Sequence, residues 1–142
     1  MRTIRFRGKS EDNSRWFYGF LQKYQEKYGS RLCICAVSVS TWKDALLYSV
    51  RPDTIGQFTG LLDKNGNEIY EGDILQFGNS PSGVCEVKWN ESIAAFCIRF
   101  HFENEIGSRP LGEGLVEKKN IAIIGNIHDN PELMKADEKS KD

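Results

Sequence analysis

The sequence is short of every pattern that would announce a chemistry. It has only two histidines, His101 and His128, and neither stands near a serine or cysteine in a nucleophile motif. G-x-G-x-x-G and the phosphate-binding G-x-x-x-x-G-K-[ST] are both absent, so no nucleotide or other cofactor is expected. The four cysteines, Cys33, Cys35, Cys85 and Cys97, include no C-x-x-C pair, which excludes the usual zinc frameworks and leaves small buried side chains in strands as their expected role. Apolar runs such as Leu32 to Val37 fall far short of the ~20 residues of a membrane-spanning helix. MRTIRFRGKS lacks the continuous apolar core of a secretory signal, and a cytoplasmic location is expected.

What is present is a globular composition: 39% hydrophobic and 27% charged over 142 residues, enough for one domain or a main domain with a smaller subdomain. Short strand patterns separated by turn signals predict a mainly β (α+β) chain. TIRFRG alternates Ile4 and Phe6 against Arg5 and Arg7 as a first strand, and the aromatic stretch from Trp16 to Leu21 leads into a hairpin over Tyr18 to Val37. STWKDALLYSV, from Ser40 to Val50, reads as a strand or a short helical turn before Pro52, and we favour the strand. Further strands are expected over Phe58 to Leu62, Asn67 to Tyr70 and Ile74 to Phe77. The cleanest alternation sets Cys85, Val87 and Trp89 on one face, with Phe96, Ile98, Phe100 and Phe102 on the partner strand. Gly78 to Gly83 reads as a turn. Glu105 to Lys119, rich in glycine and charge, reads as a mobile loop, and Ile121 to Gly125 as a last core strand. Asn130 before Pro131 is the N-cap signature of a short C-terminal helix, and 135–142 should fray. The expected organisation is an N-terminal β subdomain over 1–50, a small, partly open β-barrel over 54–134, and a disordered tail.

TIGQFTGLLDKNGNEIYEGDI, residues 54–74, concentrates glycines and carboxylates, and raises the question of whether it is an active site or a corner. Its acids Asp63, Glu68, Glu71 and Asp73 are the best candidates for metal binding, with Glu71 and Asp73 foremost, because hard cations need converging oxygens. The spacing does not fit the common calcium loop. A turn accounts for the block more simply: Asp63 and Asn65 bond nearby amides, Gly66 and Gly72 supply positive φ, and Asp73 bonds into the turn that it closes.

Charge is unevenly spread. Up to Arg31, eight basic residues oppose three acidic ones, a net of +5, so the rest carries −6 for a total of −1. Arg5, Arg7 and Arg15 beside Trp16 combine phosphate-neutralising charge with stackable rings, the equipment of single-strand nucleic-acid binding, although those rings can equally serve a core. The same polarity suits a homo-oligomer in which the basic segment of one subunit meets the acidic part of another.

Phe6-Arg7-Gly8, Trp16 and Gly19, the block from Thr54 to Ile74, Val87-Lys88-Trp89 and IIGNIHDNPEL, taken in order and spacing from about residue 4 to about residue 134, resemble the YopX family of phage and prophage proteins. The resemblance implies a small β-rich protein with an SH3-like barrel after a smaller N-terminal part. It implies no activity and carries no catalytic residue. Its motif positions here include Thr54, Gly56, Gln57, Gly60, Asp63, Gly66, Tyr70, Glu71, Gly72, Asp73, Asn130 and Pro131. A non-enzymatic accessory or regulatory role follows as the leading expectation, exercised by binding a host or phage protein, with Gln57, Phe58, Tyr70 and Trp89 placed where a docking surface could form. Single-stranded nucleic-acid binding and a metal-dependent enzyme built on residues 63–73 are the alternatives.

Overall fold

The computed structural model describes residues 2–36, 46–78, 83–102 and 105–134. The chain divides into two compact units, Met1–Phe58 and Thr59–Asp142. The division falls inside a strand rather than before Thr54, because Gly56 and Gln57 pair with Arg7 and Phe6.

In the first unit β1 (Phe6–Lys9), β2 (Trp16–Glu26), β3 (Gly29–Ala36) and β4 (Leu46–Ser49) follow one another antiparallel, in the spatial order β4-β3-β2-β1, with the start of β5 (Gly56–Leu62) beyond β1. The expected hairpin is β2–β3, in register from Phe20 opposite Cys35 to Glu26 opposite Gly29. Alternation then decides which side chains share a face. Phe6, Phe17, Ile34 and Tyr48 fall on one side, where Phe17, Ile34 and Val50 form the core and the Phe17 and Tyr48 rings stack at 4.0 Å. The first strand begins at Phe6 rather than at Thr3, and Ile4 is half exposed. A 3-10 turn over Pro52–Thr54 closes the unit: buried Thr54 accepts the Lys9 amide at 2.9 Å and donates to the Arg51 carbonyl at 2.6 Å.

The second unit continues β5 into a hairpin with β6 (Glu68–Tyr70), then β7 (Asp73–Phe77), β8 (Val84–Asn90), β9 (Ala95–Phe102), β10 (Glu105–Pro110), α1 (Glu113–Lys119) and β11 (Ile121–Asn126). Its sheet, ordered β10-β9-β8-β7-β11, is antiparallel and open. Ile69, Leu75, Cys85, Val87, Ile98, Phe100, Val116 and Ile121 form its core.

The chain is therefore mainly β, with antiparallel sheets and little helix, as the turn-punctuated sequence predicts. One expectation fails. The stretch expected as a mobile loop from Glu105 onward holds β10, paired with β9 from Glu105 opposite Phe102 to Pro110 opposite Cys97, and then α1. Its physical basis is an apolar stripe hidden among the charges: Val116 is buried, Leu111 and Leu115 pack against the core, and Asn120 ends the helix in the left-handed conformation at φ 52°. Ser40 to Ala45, the middle of the turn over Gly78 to Gly83, and the tail 135–142 lie outside the described residues.

Candidate functional site

The block from Thr54 to Ile74 is held together by its own polar atoms. Asp63 is the hub of the turn between β5 and β6. Its Oδ1 accepts the amides of Asn65 and Asn67, both at 2.9 Å, and its Oδ2 accepts the Ile123 amide at 3.1 Å, which ties the turn to β11. Burial alone would raise the Asp63 pKa, but the Ile123, Asn67 and Asn65 amides and the Asn67 carboxamide outweigh it and hold the carboxyl below its ordinary value. Thr59 donates to the Ile69 carbonyl at 2.8 Å across the hairpin.

The second turn is built alike. Gly72 sits at φ 87°, a conformation in which a side chain would be strained, and its amide and carbonyl bond Val87 and Ile127, each at 2.9 Å. Asp73, buried, accepts the Tyr70 amide at 2.7 Å and so locks the turn from within, as a corner requires. Gly60 and Gly66 also have positive φ, and Gly56 is buried in β5.

Of the two metal candidates, Asp73 is thus engaged in backbone bonding, and among the described residues no three His, Cys, Asp or Glu side chains converge as a ligand set. Two of the thiols are poorly suited to nucleophilic work: burial pushes Cys85 up to about 12 and raises Cys33 as well.

The C-terminal motif corrects one expectation. Asn130 does not cap the helical turn that follows it; its side-chain oxygen reaches back to the Asn126 amide at 3.3 Å. That placement needs Gly125, where a Cβ would stand 2.5 Å from the same oxygen. Pro131 begins the turn, whose Leu133 amide bonds the Asn130 carbonyl at 3.1 Å.

The expected docking residues are not all on the surface. Phe58 and Tyr70 are buried, so both rings are interior side chains; Gln57 is half-buried, and Trp89 is 46% exposed with its ring edge-on to Phe96. Trp89 leaves the core face because burial fades along β8 after Val87.

The basic and aromatic residues of the first unit do come together, but on one another. The Arg7 guanidinium lies 4.7 Å from the centre of the Trp16 ring and the Lys9 ammonium 5.8 Å from it, while Arg15 stacks 4.6 Å from Phe17. Arg7 and Lys9 are both buried.

The feature that sequence reasoning missed is the outer half of the β2–β3 hairpin. Trp16, Tyr18, Phe20, Gln22 and Tyr24 alternate onto the face opposite the core. Tyr18 and Tyr24 are each 48% exposed, Phe20 59%, and Tyr28 at the tip 90%. Period-two spacing of rings over FYGFLQKY was the available signal. Open grooves lie among the described residues of each unit. One of about 450 Å³ is lined by Leu61, Leu62, Asp63, Lys64, Glu113 and Glu117 in the second unit. Another, of about 420 Å³, lies beside Asp12 and Arg15 in the first. Asp12 is held down at about 2 by the hydroxyls of Ser10 and Ser14 and by the Ser14 amide.

The model of the YopX protein family matches residues 5–135. The chain belongs to the YopX family. Two solved structures are similar over most of their length: protein EF1440 from Enterococcus faecalis, 21% identical, covering 94% of this chain and 99% of that one at a TM-score of 0.47, and protein yopX from Bacillus subtilis, 19% identical, covering 94% and 97% at 0.49. No curated protein matches the chain. Within YopX wording, Thr54, Thr59, Asp63, Gly72, Asp73, Gly125 and Asn130 each have a bond or a close approach in the fold that accounts for them. No helix among the described residues is long and apolar enough to cross a membrane.

Proposed function

We propose that the chain is a non-enzymatic accessory or regulatory protein of phage or prophage origin that acts in the cytoplasm by binding a host or phage protein. The observation that carries this reading is the exposed aromatic face of the β2–β3 hairpin, where Tyr18, Phe20 and Tyr24 stand in a row without covering from the unit's own core. Exposed tyrosine and phenylalanine side chains are enriched at protein interfaces, which gain large contact area from side chains with few rotamers. The YopX block favours the same reading, because two of its acids, Asp63 and Asp73, accept backbone amides.

The competing nucleic-acid reading draws on the same rings. It is the weaker one because Arg7, Lys9 and Arg15 lie against Trp16 and Phe17.

The test is affinity capture with chemical cross-linking, comparing the natural chain with a Phe20→Ser/Tyr24→Ser variant. A protein captured by the first and lost from the second, with the variant still folded by circular dichroism, is the expected result. Equal capture by both overturns the assignment of the face, and a low-salt shift of a single-stranded oligonucleotide, lost in the same variant, transfers it to nucleic acid.

A further inference from the structure

We propose that Asn65-Gly66 is a site of spontaneous covalent modification, conversion to aspartate or isoaspartate, that the folded turn holds off and unfolding releases, and that the isoaspartate form can no longer rebuild the Asp63 hub.

The reaction needs no enzyme. The Gly66 amide nitrogen gives up its proton and attacks the Asn65 side-chain carbon Cγ, and the side-chain nitrogen leaves as ammonia, closing a five-membered succinimide. Water then opens the ring at either carbonyl. The sum is asparagine plus water to ammonia plus a carboxylic acid, with no change of oxidation state. Asn65 is the only asparagine in the sequence followed by glycine, the residue that shields the attacking nitrogen least because it has no Cβ. Both residues are exposed to water.

The turn sets that nitrogen to other work. The Gly66 amide donates to the Asp63 carbonyl at 3.0 Å, the Asp63 amide donates to the Asn67 carbonyl at 2.8 Å, and Gly66 lies at φ 82°. Those are the features of a three-residue hairpin loop, a type I turn followed by a left-handed glycine. The attacking atom is therefore committed as a donor to Asp63. Swinging it over Cγ rotates the peptide between Asn65 and Gly66, which breaks that bond and draws the Asn67 amide away from Asp63 Oδ1, where it stands at 2.9 Å. Asp63 is also anchored to β11 through the Ile123 amide at 3.1 Å, so ring closure is tied to release of the hub.

The two products differ in what they do to the loop. Aspartate keeps the main chain unchanged, and residue 65 reaches Asp63 Oδ1 through its backbone amide, which aspartate retains. Isoaspartate routes the main chain through the former side chain and inserts a methylene between residues 65 and 66. The lengthened loop no longer brings the Gly66 and Asn67 amides onto Asp63 together.

The test follows the full chain in mildly alkaline buffer at one temperature: folded, in graded guanidinium chloride below the unfolding midpoint, and fully unfolded. Peptide mapping reads ammonia loss at Asn65, and methyltransferase labelling reads isoaspartate. The folded chain should react at least about tenfold more slowly than the unfolded one, with the rate following the open fraction through the series. On dilution from denaturant, chains carrying aspartate should regain the unfolding midpoint of the Asn65→Asp variant, and chains carrying isoaspartate should not. Equal rates in the folded and unfolded chains overturn the proposal. So do isoaspartate chains that refold with the midpoint of Asn65→Asp.

Discussion

The two units solve the problem of a small β domain in opposite ways. The second buries eight core side chains from five strands and a helix, and ties its turns to its strands through Asp63, Gly72 and Asp73. The first rests on Phe17, Ile34 and Val50 and leaves the outer half of its longest hairpin in water. The lesson is that the most distinctive wording of the chain belongs to architecture, while the exposed aromatic row of the hairpin is written in ordinary residues.

The comparison can be broken most strongly at Asp63. Asp63→Ala removes a buried carboxylate that accepts the amides of Asn65, Asn67 and Ile123, and should lower stability by about 3 kcal/mol by urea unfolding. A loss under about 0.5 kcal/mol, the size of an ordinary surface change, would mean that the hub is dispensable. The same carboxylate makes a pH prediction. Its folded pKa is depressed, so its contribution is fully present above the unfolded value near 3.9 and is lost as pH falls through the lower, folded value. Asp63→Asn should therefore flatten the acid limb of a stability profile below about pH 4 and leave the shape above it unchanged.

Next in size, Gly72→Ala should cost about 1–2 kcal/mol, because φ 87° strains any side chain, and thermal unfolding reads it directly. In the first unit, Thr54→Val removes the acceptor of the Lys9 amide and the donor to Arg51, and should cost about 1–2 kcal/mol in the same assay. Phe20→Ser and Tyr24→Ser sharpen the contrast from the other end. Both side chains are largely exposed, and each substitution should change stability by no more than about 0.5 kcal/mol.

How much of this was legible in the sequence varied with the kind of signal. Clean alternation made β8 and β9 readable, and Asn65-Gly66 with Gly72 marked two real turns, because those residues report local backbone needs directly. The cysteines read correctly as strand residues, three of them buried. The helix over Glu113–Lys119 was not legible, since its stripe of Leu111, Leu115 and Val116 is short and surrounded by glycine and charge. Whether a ring is core or surface was also hidden: Tyr70 and Trp89 look alike as aromatics near strand ends, yet one is buried and the other half exposed. That depends on where the sheet's core ends, which is a property of tertiary packing. Asn130 carries a cap signature, but its side chain was claimed by the Asn126 amide in a tight approach to Gly125 that only the fold reveals.

The most direct test of the account is a side-by-side urea unfolding of Asp63→Ala and Phe20→Ser/Tyr24→Ser in dilute protein. The account predicts a loss of about 3 kcal/mol for the first and at most about 1 kcal/mol for the second. A hairpin variant that unfolds as readily as the Asp63 variant would contradict it, because the aromatic face would then be part of what holds the fold rather than a surface held out for a partner.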